Sequence, residues 1–337
     1  MKKKIAIILP YKEIYSEHFA GAASIWLKDY DHLSKLSKET IIYGNLDKKL
    51  KPLTRNFKNI SISKTTFSKT KQYINYFYKD SLKNNFDIIE IHNRPEYLNF
   101  LIKKKIKSSL IFFFHNNPKE IRGSKTIKER LNILENTDKV FFVSSWTKKK
   151  FFEDLPYKSK SNCEILYPSI KKQKIFNKKK KNQIIFTGKL NSSKGYDLFG
   201  EAIIKILNKY PNWSAVVAGN EPREKYYFKH KNLKIYPWLP HKKILELYDL
   251  SSISVVPSRW EEPFGRTAME SAAHGCATIT SQKGGLLETF DNDLFLKNLK
   301  SSDIFNQINL LIKNPKKLKF YQNKNFKKPL HLIENLV

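Results

Sequence analysis

The chain has 337 residues, with 63 Lys and Arg against 31 Asp and Glu, and a formal net charge of +32. Two cysteines exclude a disulfide-stabilised scaffold, and no apolar run approaches the roughly 18 residues of a membrane-spanning helix. The basic start MKKKIAIIL has an apolar core too short for export, which predicts a cytoplasmic protein, either free or at the inner face of the membrane. The length predicts two domains.

The excess of positive charge has two interpretations. Only seven of the 63 basic residues are arginine, and an AT-rich coding sequence produces such a lysine excess without selection for a partner. The alternative is an anionic partner, either nucleic acid or a membrane surface. The membrane is the better of these two, since no nucleic-acid-binding motif accompanies the charge.

Short apolar runs recur along the first half of the chain, and each ends in polar, Gly or Pro residues. Runs that are apolar on both faces are typical of buried parallel strands. These runs cover residues 5–10, 40–44, 87–92, 110–115, 139–145 and 163–168.

The second half repeats this pattern at residues 183–188, 214–219, 233–238, 253–258 and 276–281. Helical periodicity lies between the runs at 197–210, with Asp197 as the predicted N-cap, and at 241–250. Strands that alternate with helices predict a doubly wound parallel α/β domain in each half.

We therefore predict an N-terminal domain over 1–175 and a C-terminal domain over 176–320. The basic segment 171–183 is the predicted linker, and a terminal segment, 321–337, is a candidate to return to the first domain. Ligands of such sheets bind beyond the carboxyl ends of the strands, and two facing sheets would form a cleft there.

Two glutamates, Glu262 and Glu270, lie either side of a Pro-Phe-Gly turn that precedes a predicted helix. The backbone amides at the start of a helix form an anion site, and carboxylates accept hydrogen bonds from hydroxyl pairs. The spacing therefore suits a phosphorylated sugar carrier. The alternative is that both are acidic residues favoured near a helix start. The amides concerned belong to Phe264, Gly265 and Arg266.

Three segments in order, GKLNSSKG (188–195), EEPFGRTAME (261–270) and GGLLE (284–288), resemble the retaining glycosyltransferase family 4. The resemblance covers nearly all of the second domain and is looser in the first. It implies the GT-B fold, in which two Rossmann-like doubly wound domains face each other across a cleft.

The resemblance also implies roles for residues of the second domain. Glu262 would hold hydroxyls of the donor sugar and Glu270 the ribose, while Lys194 and Lys189 would bind the donor diphosphate. Lys189 stands where many members have arginine, so the planar fork for bidentate phosphate contact is lost. Further donor-binding positions are Gly188, Phe264, Gly265, Arg266, Gly284, Gly285, Glu288, and Trp238 with Leu239, whose backbone would lie against the base. Buried packing is the alternative for Trp238.

In the first domain, His115 ends an apolar run and looks like the family's active-site histidine, although a buried structural histidine is the alternative. Gly21 stands where the family has a Gly-Gly pair near the donor phosphate. His92, Asn93 and Arg94 are similar to the H-N-R-P motif of transferases that build lipopolysaccharide core and surface glycans, which implies acceptor binding. Arg94 could equally form a surface salt bridge.

These observations predict a retaining hexosyltransferase that uses a nucleotide diphosphate sugar and a glycan or lipid-linked acceptor, in lipopolysaccharide or surface polysaccharide synthesis. No metal or other cofactor and no nucleic acid are expected. Basic segments such as 100–110 would contact an anionic membrane, or form a solvated helix face. The alternatives are a nucleic-acid-binding basic protein, a GT-B epimerase or phosphorylase, and a transferase fold without activity.

Overall fold

The computed structural model describes residues 3–63, 68–171, 173, 176, 179–291, 293–327 and 329–332. The chain divides into two compact units, and the boundary falls between Pro168 and Ser169. Each unit is built on one parallel sheet. The predicted boundary at 175/176 lies a few residues further along, within the basic segment 171–183. Residues 172, 174–175 and 177–178 of this segment lie outside the described part of the chain.

The N-terminal unit contains a sheet of seven described strands in the order β3-β2-β1-β4-β5-β6-β7, with every neighbouring pair parallel. The strands are β1 Ile5–Ile8, β2 Thr40–Gly44, β3 Phe57–Asn59, β4 Ile88–His92, β5 Ser109–Phe114, β6 Lys139–Phe142 and β7 Cys163–Ile165. The helices are α1 Ala22–Leu33, α2 Lys69–Asn84, α3 Pro95–Lys103, α4 Ile127–Glu135 and α5 Ser145–Phe152.

Helices cover both faces of this sheet, which is why its strands are apolar on both sides. Helix α1 packs Trp26 and Leu27 onto one face, against Ile7 of β1 and Phe113 of β5. Residues of α2, α3, α4 and α5 form the core on the other face. The prediction of buried parallel strands is confirmed. The sequence analysis missed β3, because this three-residue edge strand has a single apolar residue, Phe57.

The C-terminal unit contains a parallel sheet of five described strands in the order β10-β9-β8-β11-β12. The strands are β8 Lys181–Thr187, β9 Ser214–Ala218, β10 Leu233–Tyr236, β11 Ser251–Val256 and β12 Ala277–Thr280. The helices are α6 Tyr196–Lys209, α7 His241–Leu250, α8 Arg266–Ala273, α9 Ser301–Lys313 and α10 Pro315–Lys327.

Helix α6 begins one residue earlier than predicted. Its N-cap is Gly195, in the left-handed region at φ 72°, and not Asp197. Asp197 lies in the first turn, where its carboxylate pairs with Arg259. A side chain near a helix start is a capping candidate by sequence alone, and the ion pair that changes its role comes from 62 residues away.

The C-terminal segment lies on the C-terminal unit as far as it is described. Helix α10 packs against α8, α9 and β12, and Ile170 forms a bridge with Leu332. The predicted segment 321–337 extends past this point, and residues 328 and 333–337 lie outside the described residues. Within the described residues, no helix is both long enough and apolar enough to span a bilayer.

Candidate active site

Two glycines shape the loop that follows β8. Gly188 has φ 130°, a conformation that L side chains rarely adopt. Gly195 ends the short 3-10 helix Ser192–Lys194, and a Cβ there would lie 2.1 Å from the carbonyl oxygen of Pro257. The absence of a side chain at 195 therefore lets this loop approach the end of β11.

Arg259 also stabilises this loop. Its guanidinium makes two parallel bonds of 2.7 Å to Asp197 and donates to the carbonyl of Ser192 at 2.6 Å. The backbone amides of Arg259 and Trp260 both donate to the carbonyl of Ser193 at 2.9 Å. Partial burial by itself raises the pKa of Asp197, but the hydrogen bonds and charge of Arg259 lower it overall.

These hydrogen bonds place the side chain of Lys194 next to that of Glu262. Nζ of Lys194 lies 2.6 Å from Oε1 of Glu262 and 4.6 Å from the ring centroid of Trp260. The Glu262 side chain is only 8% exposed, whereas that of Lys194 is 24% exposed. The other carboxylate oxygen of Glu262, Oε2, accepts no hydrogen bond from the described residues. One cation and one free acceptor atom thus lie side by side.

Glu270 lies one turn inside α8 and is held by the side chains of Arg266 and His241. Its Oε1 accepts hydrogen bonds from Nε of Arg266 at 2.8 Å and from Nε2 of His241 at 2.9 Å, an assignment that gives His241 its proton on Nε2. Burial would raise the pKa of Glu270, but His241 and Arg266 reverse this and lower it to about 2. Its Oε2 accepts no hydrogen bond from the described part of the chain.

The glycine pair of the GGLLE loop packs directly on the backbone of Glu262. Gly284 has φ 61°, and a Cβ there would lie 2.3 Å from the Glu262 carbonyl oxygen. The amide of Gly285 donates to that same oxygen at 2.7 Å. The pair therefore positions Glu262, which is a physical reason for two glycines at this point.

The remaining predicted donor-binding residues are more dispersed. Lys189 is exposed and forms no ion pair with any described residue. Leu239 and Glu288 are partly buried, and Phe264 is buried with its ring against His331. Trp238 is 37% exposed, so the alternative of buried aromatic packing is wrong. The structure thus brings Lys194, Glu262 and the glycine pair together, and Arg266 with Glu270, while no contact joins Lys189 or Trp238 to them.

In the N-terminal unit, His92 and His115 are hydrogen-bonded through Nδ1 and Nε2 at 2.8 Å. Trp26 of α1 packs edge-on against His115, with ring centroids 5.2 Å apart. Asn93 adopts φ 53°, and its Oδ1 accepts from the backbone amide of His115 at 2.8 Å. Burial and the proximity of His92 keep the pKa of His115 well below its ordinary value, so the ring is neutral at pH 7.

This geometry corrects two predicted acceptor contacts. His92 is fully buried and Asn93 nearly so, with its side-chain oxygen already used by His115. Both residues therefore support His115 and present no side-chain surface to an acceptor. Arg94 is partly exposed, and its Nη1 donates to the Asn93 carbonyl at 3.1 Å.

Gly21 is the N-cap of α1 and lies beside the partly buried carboxylate of Glu13. A Cβ at Gly21 would lie 3.1 Å from Oε1 of Glu13, which also accepts from the amide and hydroxyl of Ser24. Burial raises the pKa of Glu13 in spite of these bonds. The methyl group of Ala22, where the family has a second glycine, is exposed.

Sequence reasoning missed Arg259, Trp260 and His241 in the C-terminal unit, and Trp26 in the N-terminal unit. Arg259 and Trp260 immediately precede the segment EEPFGRTAME (261–270), so their position was a usable signal. His241 begins a predicted helix, but nothing local to it indicates that it contacts Glu270, 29 residues away.

Residues 169–328 match the family model described as "Glycosyl transferases group 1". This part of the chain, a little under half of it, is similar to the group 1 glycosyltransferases. The match includes all three segments on which the resemblance rests, and ends within one residue of the end of α10.

Two curated relatives extend this finding. The chain is 24% identical over 235 residues to a putative glycosyltransferase, YtcC, of Bacillus subtilis, covering 60% of this chain and 57% of the relative. It is 28% identical over 178 residues to an uncharacterised 42.6 kDa protein in the cps region of Klebsiella pneumoniae, covering 50% and 46%. The chain thus spans about half the length of these relatives.

Solved structures share the fold over almost the whole chain. A complex of Anabaena HepE with UDP and glucose has a TM-score of 0.76 at 13% identity, covering 99% of this chain and 97% of that one. Sucrose-phosphate synthase from Thermosynechococcus elongatus has a TM-score of 0.75 at 14% identity, covering 99% and 95%. The two parallel-sheet units of the chain have the GT-B fold, as predicted.

Proposed function

We propose that this protein is a retaining glycosyltransferase that moves a hexose from a nucleotide diphosphate sugar to an acceptor hydroxyl. The observation that carries the proposal is the hydrogen bonding of the carboxylates of Glu262 and Glu270. In each, Oε1 accepts hydrogen bonds from the protein's own side chains and Oε2 is left without a partner among the described residues. A buried carboxylate with one fixed and one unused oxygen is prepared to accept a hydrogen bond from a ligand hydroxyl.

This arrangement and the similarity to group 1 glycosyltransferases support a nucleotide diphosphate sugar as the donor. Glu262 would accept from the sugar and Glu270 from the ribose, while Lys194 and Lys189 would neutralise the diphosphate. Support comes from solved structures of HepE, whose complexes contain UDP, UDP-glucose, or UDP and glucose. The identity of the base and of the hexose is part of what the test below must determine.

Retention would follow from a reaction on one face of the sugar. The bond from the anomeric carbon to the diphosphate oxygen breaks, a bond to the acceptor oxygen forms, and the acceptor proton passes to the departing phosphate. The charge that develops on the leaving diphosphate is stabilised by Lys194, and preorganised charge of this kind contributes several kcal/mol, roughly 3 per donor removed in other enzymes. Positioning of the two substrates supplies the rest.

The role implied for His115 is part of the same proposal. Its ring is neutral, held by Asn93 through the backbone and by His92 through Nε2. A neutral imidazole fixed in this way can exchange one directed hydrogen bond with a hydroxyl of the transferred sugar without adding positive charge.

The acceptor is proposed to be a glycan or lipid-linked glycan at the cytoplasmic face of a membrane, as part of surface polysaccharide synthesis. Two of the relatives are proteins of a Klebsiella cps region, which favours this setting. The exposed lysines at 104, 105 and 107, after α3, would contribute to contact with anionic head groups.

The test is a transfer assay with a panel of UDP-, GDP- and ADP-sugars and lipid-linked glycan acceptors. We expect one nucleotide class to release its diphosphate in an acceptor-dependent manner, with a product of the same anomeric configuration as the donor. Inverted product would overturn retention. Steady hydrolysis or epimerisation without acceptor, or salt-sensitive DNA binding with no response to any donor, would overturn the transferase assignment.

A further inference from the structure

A buried carboxyl group lies next to His92 and is used by none of the contacts described so far. Glu90 is on β4 two residues before His92, so both side chains project to the same face of the sheet, the face covered by α1. Glu90 is 5% exposed and His92 is fully buried. Oε2 of Glu90 lies 3.8 Å from Nε2 of His92, and neither atom has a hydrogen-bond partner within the described residues.

Glu90, His92 and His115 therefore lie in a row, in which the two histidines share a hydrogen bond and the carboxyl group of Glu90 faces His92 from just beyond hydrogen-bond distance. The row runs from Oε2 of Glu90 to Nε2 of His92, and from Nδ1 of His92 to Nε2 of His115. A neutral imidazole carries one proton, so the proton that one ring nitrogen holds decides whether the other donates or accepts. The protonation state of each of these three residues therefore restricts the protonation state of the next.

Two arrangements satisfy the row. If Glu90 is protonated, it directs its proton to Nε2 of His92, Nδ1 of His92 donates to Nε2 of His115, and His115 carries its proton on Nδ1. If Glu90 is ionised, Nε2 of His92 carries the proton, its Nδ1 accepts from Nε2 of His115, and Nδ1 of His115 is an acceptor.

We propose that Glu90 is a positioning residue that, acting through His92, selects which ring nitrogen of His115 carries the proton. At neutral pH the protonated carboxyl group gives His115 a donor at Nδ1. Its consequence for sugar transfer rests on the proposed function, in which His115 contacts the transferred sugar, whereas the tautomer itself does not depend on that function.

The surroundings of Glu90 favour its protonated form. Ile7 of β1 and Ile111 of β5 flank it in the sheet, and Trp26 and Tyr30 of α1 pack over that face. Tyr30 is the described titratable neighbour on α1, and at neutral pH its phenol carries no charge. Burial raises the pKa of Glu90 to about 8 and lowers that of His92 to about 3.

A purely structural role does not explain the carboxyl group. The residues that flank Glu90 in the sheet, Ile7 and Ile111, are aliphatic. An aliphatic residue at position 90 would avoid the cost of burying a polar group without a hydrogen bond, about 1–3 kcal/mol. Glu90 faces His92, which is hydrogen-bonded to His115. That direction is what a positioning role requires.

The test is histidine ¹⁵N NMR on the full chain, with the His115 signals assigned from a His115→Asn variant. We expect wild-type His115 to carry its proton on Nδ1 at pH 6.5 and to transfer it to Nε2 as the pH rises through about 8. Glu90→Gln keeps the size of the side chain and cannot ionise, so this pH-dependent exchange should disappear. The same tautomer at every pH in wild type and Glu90→Gln alike would overturn the proposal.

A second readout links the tautomer to transfer. Relative to wild type, Glu90→Gln should remove the alkaline change in kcat near pH 8 while leaving the KM for the donor within about twofold. An unchanged pH profile in the variant would show that transfer does not use the selected tautomer, which overturns the consequence. If wild type transfers no sugar, the proposed function fails, and the NMR result still decides the tautomer.

Discussion

The ammonium group of Lys194 lies 2.6 Å from the carboxylate of Glu262, across 68 residues of sequence, and Trp260 packs beneath it. The ion pair places the proposed phosphate-binding cation directly beside the proposed sugar-binding carboxylate. A diphosphate that binds here would share the lysine, so binding and the orientation of Glu262 are coupled.

Lys194→Met should weaken binding of the nucleoside diphosphate about tenfold to a hundredfold, because a hydrogen bond between charged groups contributes about 1.5–3 kcal/mol. Isothermal titration calorimetry of the free diphosphate gives the Kd. The control is Lys205→Met, an exposed lysine on α6 that removes the same net charge. Equal losses in both variants would indicate that general positive charge binds the diphosphate, contrary to the assigned role.

Glu270→Gln should lower the affinity for the nucleotide by a similar factor, because it removes the charge that His241 and Arg266 hold in place. Glu201→Gln is the control, since Glu201 is an exposed carboxylate on α6 that has no role in the proposed site. Binding of UDP, GDP and ADP measured with both variants separates the two positions. Indistinguishable affinities would count against a ribose contact by Glu270.

Gly195→Ala should destabilise the C-terminal unit, because the new Cβ would lie 2.1 Å from the Pro257 carbonyl at a residue with φ 72°. Strain of this kind costs about 1–3 kcal/mol in the free energy of unfolding. Gly21→Ala, at φ −80° and 3.1 Å from a carboxylate that can shift, should cost less. Urea unfolding measures both, and a smaller loss at 195 than at 21 would refute the packing argument.

The strands and the helix pattern were predictable because burial on both faces of a sheet leaves continuous apolar runs. The segments 188–195, 261–270 and 284–288 could also be recognised from the order of their residues. What the sequence does not contain is the pairing between them: Arg259 with Asp197, and His241 with Glu270, join residues that only the completed sheet brings together. The predicted N-cap at Asp197 was wrong for the same reason.

The histidines show a similar limit. His115 could be selected from its position after an apolar run, but its partner His92 was assigned to an acceptor because of the resemblance of residues 92–95 to the H-N-R-P motif. Parallel pairing of β4 with β5 instead places the two rings side by side beneath Trp26. Burial depends on α1, whose position over the sheet has no signal in the strand sequence itself.

The stability that Glu90 contributes should fall as the pH rises from about 4.5 to about 8, whereas His92 and His115, whose pKa values are lowered, contribute in the opposite direction below about pH 6.5. The carboxyl group of Glu90 has a pKa near 4.5 when unfolded and about 8 when folded, so the unfolded chain releases its proton first. The contribution is complete below pH 4.5 and lost above 8, with a slope of at most about 1.4 kcal/mol per pH unit.

Glu90→Gln should flatten this part of the profile, measured as the free energy of unfolding in urea at fixed ionic strength. Glu135→Gln, at the exposed end of α4, is the control that removes one carboxylate without burial. A wild-type profile that is matched by Glu90→Gln across this range would contradict the assignment of a neutral, buried carboxyl group.

Direct binding of a nucleotide sugar tests the central claim most closely. Calorimetric titration of the intact protein with UDP-, GDP- and ADP-sugars should give saturable binding at one site for one nucleotide class, and Lys194→Met and Glu270→Gln should each weaken it while Lys205→Met does not. Absence of binding by every donor, or binding that both site variants retain in full, would contradict the account.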